Sequence, residues 1–281
     1  MIIHHTSALR SLETTWRRAG ERIAFVPTMG NLHDGHLALV KQAKQAADRV
    51  VVSIFVNPMQ FGPTEDFARY PRTMETDASQ LALLNVDAIF VPDINEIYPN
   101  GEMPLTRVIV PGLSDDLCGV TRPQLYYGVT TVVTKLFHIV QPDMAVFGEK
   151  DIQQVVIIRR MVQDLNFSIE ILSGDIVREA DGLAMSSRNQ YLSIQERKTA
   201  STLYATLCAV RDQIKAGSAD YEKLSETAIK NLLNEGFDKV DYLTVRDKKT
   251  LSAPVEKNEL VILAAAFLGK TRLIDNVGFS I

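Results

Sequence analysis

The residues best suited to chemistry in this 281-residue chain lie in one stretch, Phe25 to His36, reading FVPTMGNLHDGH. His33 and His36 stand three positions apart, so on a helix they share a face. The stretch reads as the end of an apolar strand (Ile23 to Val26), a Pro/Thr/Gly turn, and then the start of a helical run. A helix that opens from such a turn presents unsatisfied N–H groups, and α/β proteins use that geometry to hold phosphate. Two imidazoles at the same place can donate hydrogen bonds to phosphate oxygens. Gly35 lets the backbone approach a ligand closely. His36, deeper in the helix, can face an α-phosphate or a departing pyrophosphate and stabilise the charge that develops there. A pair of capping or surface histidines is the plain alternative for an isolated HxGH. A zinc pair lacks a nearby third ligand.

Three further stretches carry polar groups of the right kind. Asn57-Pro58-Met59-Gln60-Phe61-Gly62 offers amides, and Gln60 can both donate and accept, which suits a small molecule bearing hydroxyls and a carboxylate. A turn capped by Asn57 fits the same residues equally well. In Gly148-Glu149-Lys150-Asp151-Ile152-Gln153-Gln154, Lys150 is a candidate phosphate contact, and Gln154 would face the same cleft from the next helix. Met185-Ser186-Ser187-Arg188 supplies two hydroxyls and a guanidinium whose planar fork binds phosphate bidentately. Taken singly, the last two are also ordinary helix-cap or loop residues.

These stretches need a scaffold, and the hydrophobic pattern supplies one. Val50 to Val56 is a β-branched run without polar alternation, as in a strand buried on both faces. Helical patterns over 35–48 and 74–85 alternate with strands at 23–26, 50–56 and 86–91, which predicts a Rossmann-like, doubly wound parallel sheet. Its ligands bind beyond the carboxyl ends of the strands, where both FVPTMG and FVNPMQFG would lie. Residues 99–127 are irregular, with Pro99, Gly101, Pro104, Pro111, Gly112 and Pro123 around a short expected strand, Arg107 to Val110. A helix from about Val129 stops at Pro142. Strand Ala145 to Phe147, helix Gln153 to Leu165 and strand Ile169 to Leu172 complete the first domain, 1–175.

The remainder, 176–281, is expected to form a smaller α+β lid domain. Ser193 with Glu196 is a capping-box pattern for one helix running to about Lys215. A second helix spans Tyr221 to Asn234, and strands are expected at 241–245, 260–267 and 271–274. His4, His5 and His138 are read as capped or packed rather than catalytic, and Trp16 and Met161 as packing residues.

Composition excludes several classes. An apolar share of 46% is that of a soluble globular protein. A net charge of −4 offers no basic field for nucleic acid. Cys118 and Cys208 lack ligand-like spacing. The start, MIIHHTSALRSLE, lacks the features of a secretory signal, and the longest apolar run, Leu260 to Leu268, is too short to span a membrane. A cytoplasmic protein without a membrane partner is expected.

In combination, PTMGNLHDGH, FVNPMQFGP with RYPRT, KLFHIVQPD…FGEKDIQQ and VREADGLAMSSRNQYLS resemble the pantothenate synthetase (pantoate–β-alanine ligase) family. That family belongs to the HxGH nucleotidyltransferase-like superfamily. The resemblance covers most of residues 22–197 and continues more weakly to RLIDN at 272–276. It implies that ATP is bound by Met29, Gly30, Asn31, Leu32, His33, Asp34, Gly35 and His36, with His36 as the proton donor. It also assigns the nucleotide to Gly148, Glu149, Lys150, Asp151, Val177, Met185, Ser186, Ser187 and Arg188. His33, Lys150 and Arg188 join His36 as expected catalytic groups. Gln60 and Gln154 would hold pantoate, Gln60 also β-alanine, with Asn57 beside them. Asp77 matches an acidic position near magnesium.

The implied reaction joins pantoate and β-alanine through a pantoyl adenylate, with ATP and Mg²⁺, in a homodimer. Rival readings are a nucleotidyltransferase that keeps its adenylyl product and a non-catalytic nucleotide-binding module. Two departures from the family pattern stand out. Leu117-Cys118-Gly119 replaces a run with an acid at the middle position, and Gln124-Leu125-Tyr126 replaces Gly-His-Phe.

Overall fold

Strands with no polar alternation must be covered on both sides, and this chain covers them with helices. The computed structural model describes residues 1–63, 65–101, 105–255 and 259–281. The first elements are β1 (Ile2–Ile3), α1 (Thr6–Arg18), β2 (Ile23–Thr28), α2 (Asp34–Ala46), β3 (Arg49–Ile54), α3 (Met74–Leu83) and β4 (Ala88–Phe90). Then come α4 (Ile94–Ile97), α5 (Cys118–Thr121), α6 (Leu125–Val140), β5 (Met144–Gly148), α7 (Ile152–Asp164) and β6 (Glu170–Gly174). Among the described residues these strands form one parallel sheet of order β1-β4-β3-β2-β5-β6.

Alternate residues explain the double cover. Ala24, Val26, Val50, Val52, Met144 and Val146 pack with Val40 and Ala43 of α2 and Leu81 of α3. Phe25 instead meets Phe137 of α6 edge-on, with ring centroids 6.4 Å apart, and Phe137 in turn meets Phe147 and Phe167. Val50, Val51 and Val52 are all fully buried, and each such side chain contributes roughly 1.5–3 kcal/mol. Thr28 pairs with Ile54 at the carboxyl edge, so the loops after β2 and β3 leave the sheet at the same level. The strand order runs outward in both directions from β2, which makes the β2/β5 boundary the switch point where such sheets bind ligands.

The chain divides into two compact units, Met1–Glu149 with Ile157–Asp175, and Lys150–Val156 with Ile176–Ile281. Besides the expected 176–281 region, the second unit therefore takes in Lys150–Val156. It contains α8 (Ile194–Ala200), α9 (Thr202–Lys215), α10 (Tyr221–Asn234), β7 (Lys239–Asp247), β8 (Glu259–Leu268) and β9 (Thr271–Ser280). The three strands form an antiparallel sheet of order β7-β8-β9. Leu260, Ile262, Ala264, Ala266 and Leu268 of β8 pack with Leu203, Leu207, Val210 and Ile214 of α9 and Leu232 of α10.

Some sequence expectations need correction. No strand forms at Arg107 to Val110, because threonine hydroxyls on α6 satisfy that backbone. Thr131 Oγ1 accepts from Val108 N at 3.1 Å, and Thr130 Oγ1 donates to Val108 O at 2.6 Å. The helix expected to run unbroken to Lys215 divides at Ser201, which ends α8 and precedes α9. Past His4 and His5 the chain enters α1, whose buried stripe Leu9, Glu13, Trp16 has an acid at its centre. Strand β9 runs on to Ser280, past the expected Ile274. Pro104, named above among the irregular residues, lies outside the described residues. Among the described residues no helix is long and apolar enough to cross a membrane.

Candidate active site

In the first unit the site begins where β2 ends. Thr28 Oγ1 donates to Ser53 O across the sheet and accepts from Gly30 N, which turns the chain out of the strand. Gly30 has φ +79°, and a Cβ there would lie 3.0 Å from both Asp77 Oδ2 and Ile54 Cγ2. Only glycine fits that turn without strain. Asn31 also takes a positive φ, 50°. The next backbone donors are then fixed from below: Asn31 N reaches Asp77 Oδ2 and Leu32 N reaches Asp77 Oδ1, each at 2.8 Å.

The two histidines cap α2 reciprocally. Gly35 N donates to His33 Nδ1 at 3.2 Å, and His33 N donates to His36 Nδ1 at 3.3 Å. Both Nδ1 atoms therefore act as acceptors, which places the proton of each neutral ring on Nε2. The ring centroids are 4.0 Å apart. The capping reading of HxGH is therefore met, and the cap fixes the tautomer and orientation of both rings.

The amide loop after β3 is joined to this turn by Gln60, whose Nε2 lies 3.0 Å from Met29 Sδ. Asn57 is buried and its amide is committed to the protein. Its Oδ1 accepts from Tyr98 OH at 2.7 Å and from Met59 N at 3.4 Å. Its Nδ2 donates to Gln60 Oε1 and to Gly128 O. The expected substrate contact at Asn57 is thus replaced by a holding role: Asn57 orients Gln60. Arg122 adds a second hold, pairing with Glu65 and donating to Gln60 O at 3.3 Å. Of the departure residues, Gln124 lies with its amide against Gly62, and Cys118 and Tyr126 are buried. Neither cysteine is in a disulfide.

Asp77 also departs from its expected role. It is 1% exposed, and besides the two backbone N–H groups it accepts from Thr73 Oγ1 at 3.1 Å. Both oxygens are turned to the loop, which leaves a poor magnesium ligand. Among the described residues no group of three His, Cys, Asp or Glu side chains is placed to hold a metal ion.

Gly148 and Glu149 lie in the first unit, at and just past the end of β5. A Cβ at Gly148 would lie 3.7 Å from Leu39 Cδ1 of α2. Glu149 Oε1 accepts from Ser173 Oγ, which also accepts from Arg159 Nη2.

The second unit carries the remaining expected residues. Lys150 pairs with Asp151 at 3.7 Å, and Lys150 O accepts from Asn276 Nδ2 at 3.1 Å. Gln154 is half-buried near the start of α7. Val177 O accepts from Met185 N, and Arg178 bridges Ala184 antiparallel, so 177–185 forms a tight hairpin turning at Gly182, φ +92°. Ser186 Oγ then accepts from Arg188 N at 3.2 Å, capping the 3-10 turn Ser187–Tyr191. The hydroxyl-guanidinium run is thus a built element and not an open loop.

A family model described as pantoate-beta-alanine ligase matches residues 1–278. The chain belongs to the pantoate–β-alanine ligase family. Membership makes it a ligase of pantoate and β-alanine. It is 50% identical to the pantothenate synthetase of Hydrogenovibrio crunogenus, over 99% of this chain and 98% of that one. The crystal structure of pantothenate synthetase from Thermus thermophilus superposes with a TM-score of 0.90 at 42% identity, covering 98% of each chain. The ligase from Francisella tularensis, described as complexed with beta-gamma ATP and beta-alanine, has a TM-score of 0.84 at 33% identity, covering 99% of this chain and 97% of its own.

Sequence reasoning missed Thr28, Tyr98, Arg122 with Glu65, Arg178, Asp275 and Asn276. Four of these lie inside motifs already quoted: Thr28 in PTMGNLHDGH, Arg178 in VREADG, and Asp275 and Asn276 in RLIDN. Tyr98 carries no local signal.

Proposed function

We propose that this ligase works in two steps through a pantoyl adenylate, releasing diphosphate and then AMP. The supporting observation is the reciprocal histidine cap, which supplies two oriented Nε2–H donors next to the Met29–Gln60–Asn57 chain. The pantoate carboxylate attacks the α-phosphorus of ATP in line, an O–P bond forms, and the bond to the β-phosphate oxygen breaks. His36 donates to the oxygen where charge grows, with His33 beside it. Lys150, Ser186, Ser187 and Arg188 would meet the phosphates, and Val177 and Met185 the rest of the nucleotide. Gln60, held by Asn57, and Gln154 take pantoate. The amine of β-alanine then attacks the acyl carbon as the free base, the C–N bond forms, the acyl–phosphate bond breaks, and the surplus proton leaves to solvent. No side-chain nucleophile is required. Catalysis rests on positioning and on electrostatic stabilisation. ATP enters as its magnesium salt, so Mg²⁺ is part of the substrate. The second unit would act as a lid that keeps water from the mixed anhydride, and a homodimer in the cytoplasm is the assembly and setting expected.

The reading is tested by following AMP and diphosphate from ATP with pantoate, with and without β-alanine. Diphosphate should appear without β-alanine, and sustained AMP release should require it. AMP release indifferent to β-alanine, or no diphosphate at all, would overturn the proposal. His36→Ala should fold normally yet lose about 100-fold or more in adenylate formation, the usual effect of removing one such donor.

A further inference from the structure

We propose that Arg178, Asp275 and Asn276 are positioning residues, and that strand β9 holds the Lys150 segment and the Met185–Arg188 segment through two consecutive residues. This rests on the two-step reading above. Every contact in the argument lies within the second unit.

Arg178 uses its whole fork. Nη1 donates to Asp275 Oδ2 at 2.7 Å and to Gly182 O at 3.0 Å. Nη2 donates to Asp275 Oδ1 at 3.0 Å and to Asn276 O at 3.2 Å. The guanidinium also stacks 3.7 Å from the centroid of the Tyr204 ring. The hairpin turn at Gly182 and the outer edge of β9 are therefore tied through one side chain, and the hairpin runs directly into Met185-Ser186-Ser187-Arg188. The neighbouring residue makes the second tie. Asn276 is 5% exposed, and its Nδ2 donates to the carbonyl of Lys150, a residue 126 positions earlier in the chain. Asp275 Oδ1 accepts from Asn276 N at 2.7 Å, which couples the two ties.

Stability alone does not account for this arrangement. The Asp275 side chain is 2% exposed, and burial raises its carboxyl above the ordinary value while the Arg178 guanidinium pulls it back. A buried ion pair of this kind is often matched or exceeded in stability by apolar residues of similar volume. What apolar residues cannot do is fix two peptide segments in register, because only directional hydrogen bonds set that geometry. The segments so fixed are the two that carry the cations, Lys150 and Arg188, and the hydroxyls Ser186 and Ser187.

The test is kinetic, with both half-reactions measured on the full-length enzyme. Asn276→Ala keeps the ion pair and releases the Lys150 carbonyl. It should lower kcat/KM for ATP by about tenfold, the scale of one hydrogen bond to a positioning group. The rate from supplied pantoyl adenylate and β-alanine should stay unchanged. Asn276→Asp, which sets an acceptor against that carbonyl, should be worse than Asn276→Ala. Arg178→Lys, which keeps charge but loses the fork, should fall between wild type and Arg178→Ala in the same ATP parameter. Equal losses in both half-reactions would reduce the network to a folding role and overturn the proposal, as would ATP kinetics unaffected by Asn276→Ala. Failure of the wild-type enzyme to form diphosphate from ATP and pantoate would instead overturn the two-step reading itself.

Discussion

A carboxylate that closes a loop and one that binds a metal ion can occupy the same place in a sequence, and their hydrogen-bond partners tell them apart. Asp77 accepts from Asn31 N, Leu32 N and Thr73 Oγ1, so its negative charge is spent on the turn that delivers His33 and His36. Asp77→Ala would strand two N–H groups, each costing about 1–3 kcal/mol where buried. The variant should lose stability by roughly 2–4 kcal/mol in denaturant titrations and raise KM for ATP, with an unchanged Mg²⁺ concentration for half-activity. A shift in that Mg²⁺ midpoint would restore the metal role. His33 and His36 were legible from spacing because a helix start has one geometry. The hold of Asp77 on Leu32 was not, because the two lie 45 positions apart; the cap at Asn57 was legible, but its bond to Tyr98, 41 positions away, was not.

Secondary elements set the distances between those side chains, and α6 fits closely against the 3-10 turn Pro58–Gln60. A Cβ at Gly128 would meet Met59 O at 2.3 Å and Gln60 N at 2.8 Å. Backbone atoms on both sides leave no flexible neighbour to yield. Gly128→Ala should therefore cost about 1–3 kcal/mol as an overpacked contact and move the Gln60 loop, raising KM for pantoate more than for ATP. Equal KM values for both substrates in variant and wild type would count against that coupling. Elements whose pattern reflects burial were readable in advance: the valines of β3 and the stripe of α10 end close to where periodicity places them. Arg107 to Val110 was misread because its β-branched residues are satisfied by Thr130 and Thr131 and not by a strand. Trp16 lies on a buried helical face of α1, as its packing role requires, and Glu13 shares that stripe.

That same Glu13 gives the whole molecule a pH dependence. It is 3% exposed, its Oε1 has no hydrogen-bond partner among the described residues, and burial pushes its carboxyl up to about 8 from 4.5, against the opposing charges of Arg17 and Arg10. Between those two pH values the unfolded chain has released a proton that the native chain keeps. Stability therefore falls as pH rises from about 4.5 to about 8 and levels off above. Glu13→Gln, neutral at every pH, should unfold like wild type near pH 5 and be more stable by roughly 2–4 kcal/mol near pH 8. Trp16, the single tryptophan and one turn away on α1, reports the transition by fluorescence. Parallel pH profiles for variant and wild type would refute the assignment. The pattern of the chain changes near residue 175, but nothing local marks Lys150–Val156 as part of the second unit, since its partner, Asn276, arrives at the far end of the chain.

That capture makes the second unit discontinuous in sequence, and this matters for anyone exchanging parts between relatives. A single crossover after Asp175 would transplant the serine/arginine element while leaving the recipient's Lys150–Val156 to pack against a foreign β9. Chimeras joined there should express but require re-matching of residue 276 with its carbonyl partner. A clean exchange takes the short segment and the long one together, through three junctions: before Lys150, after Val156 and before Ile176.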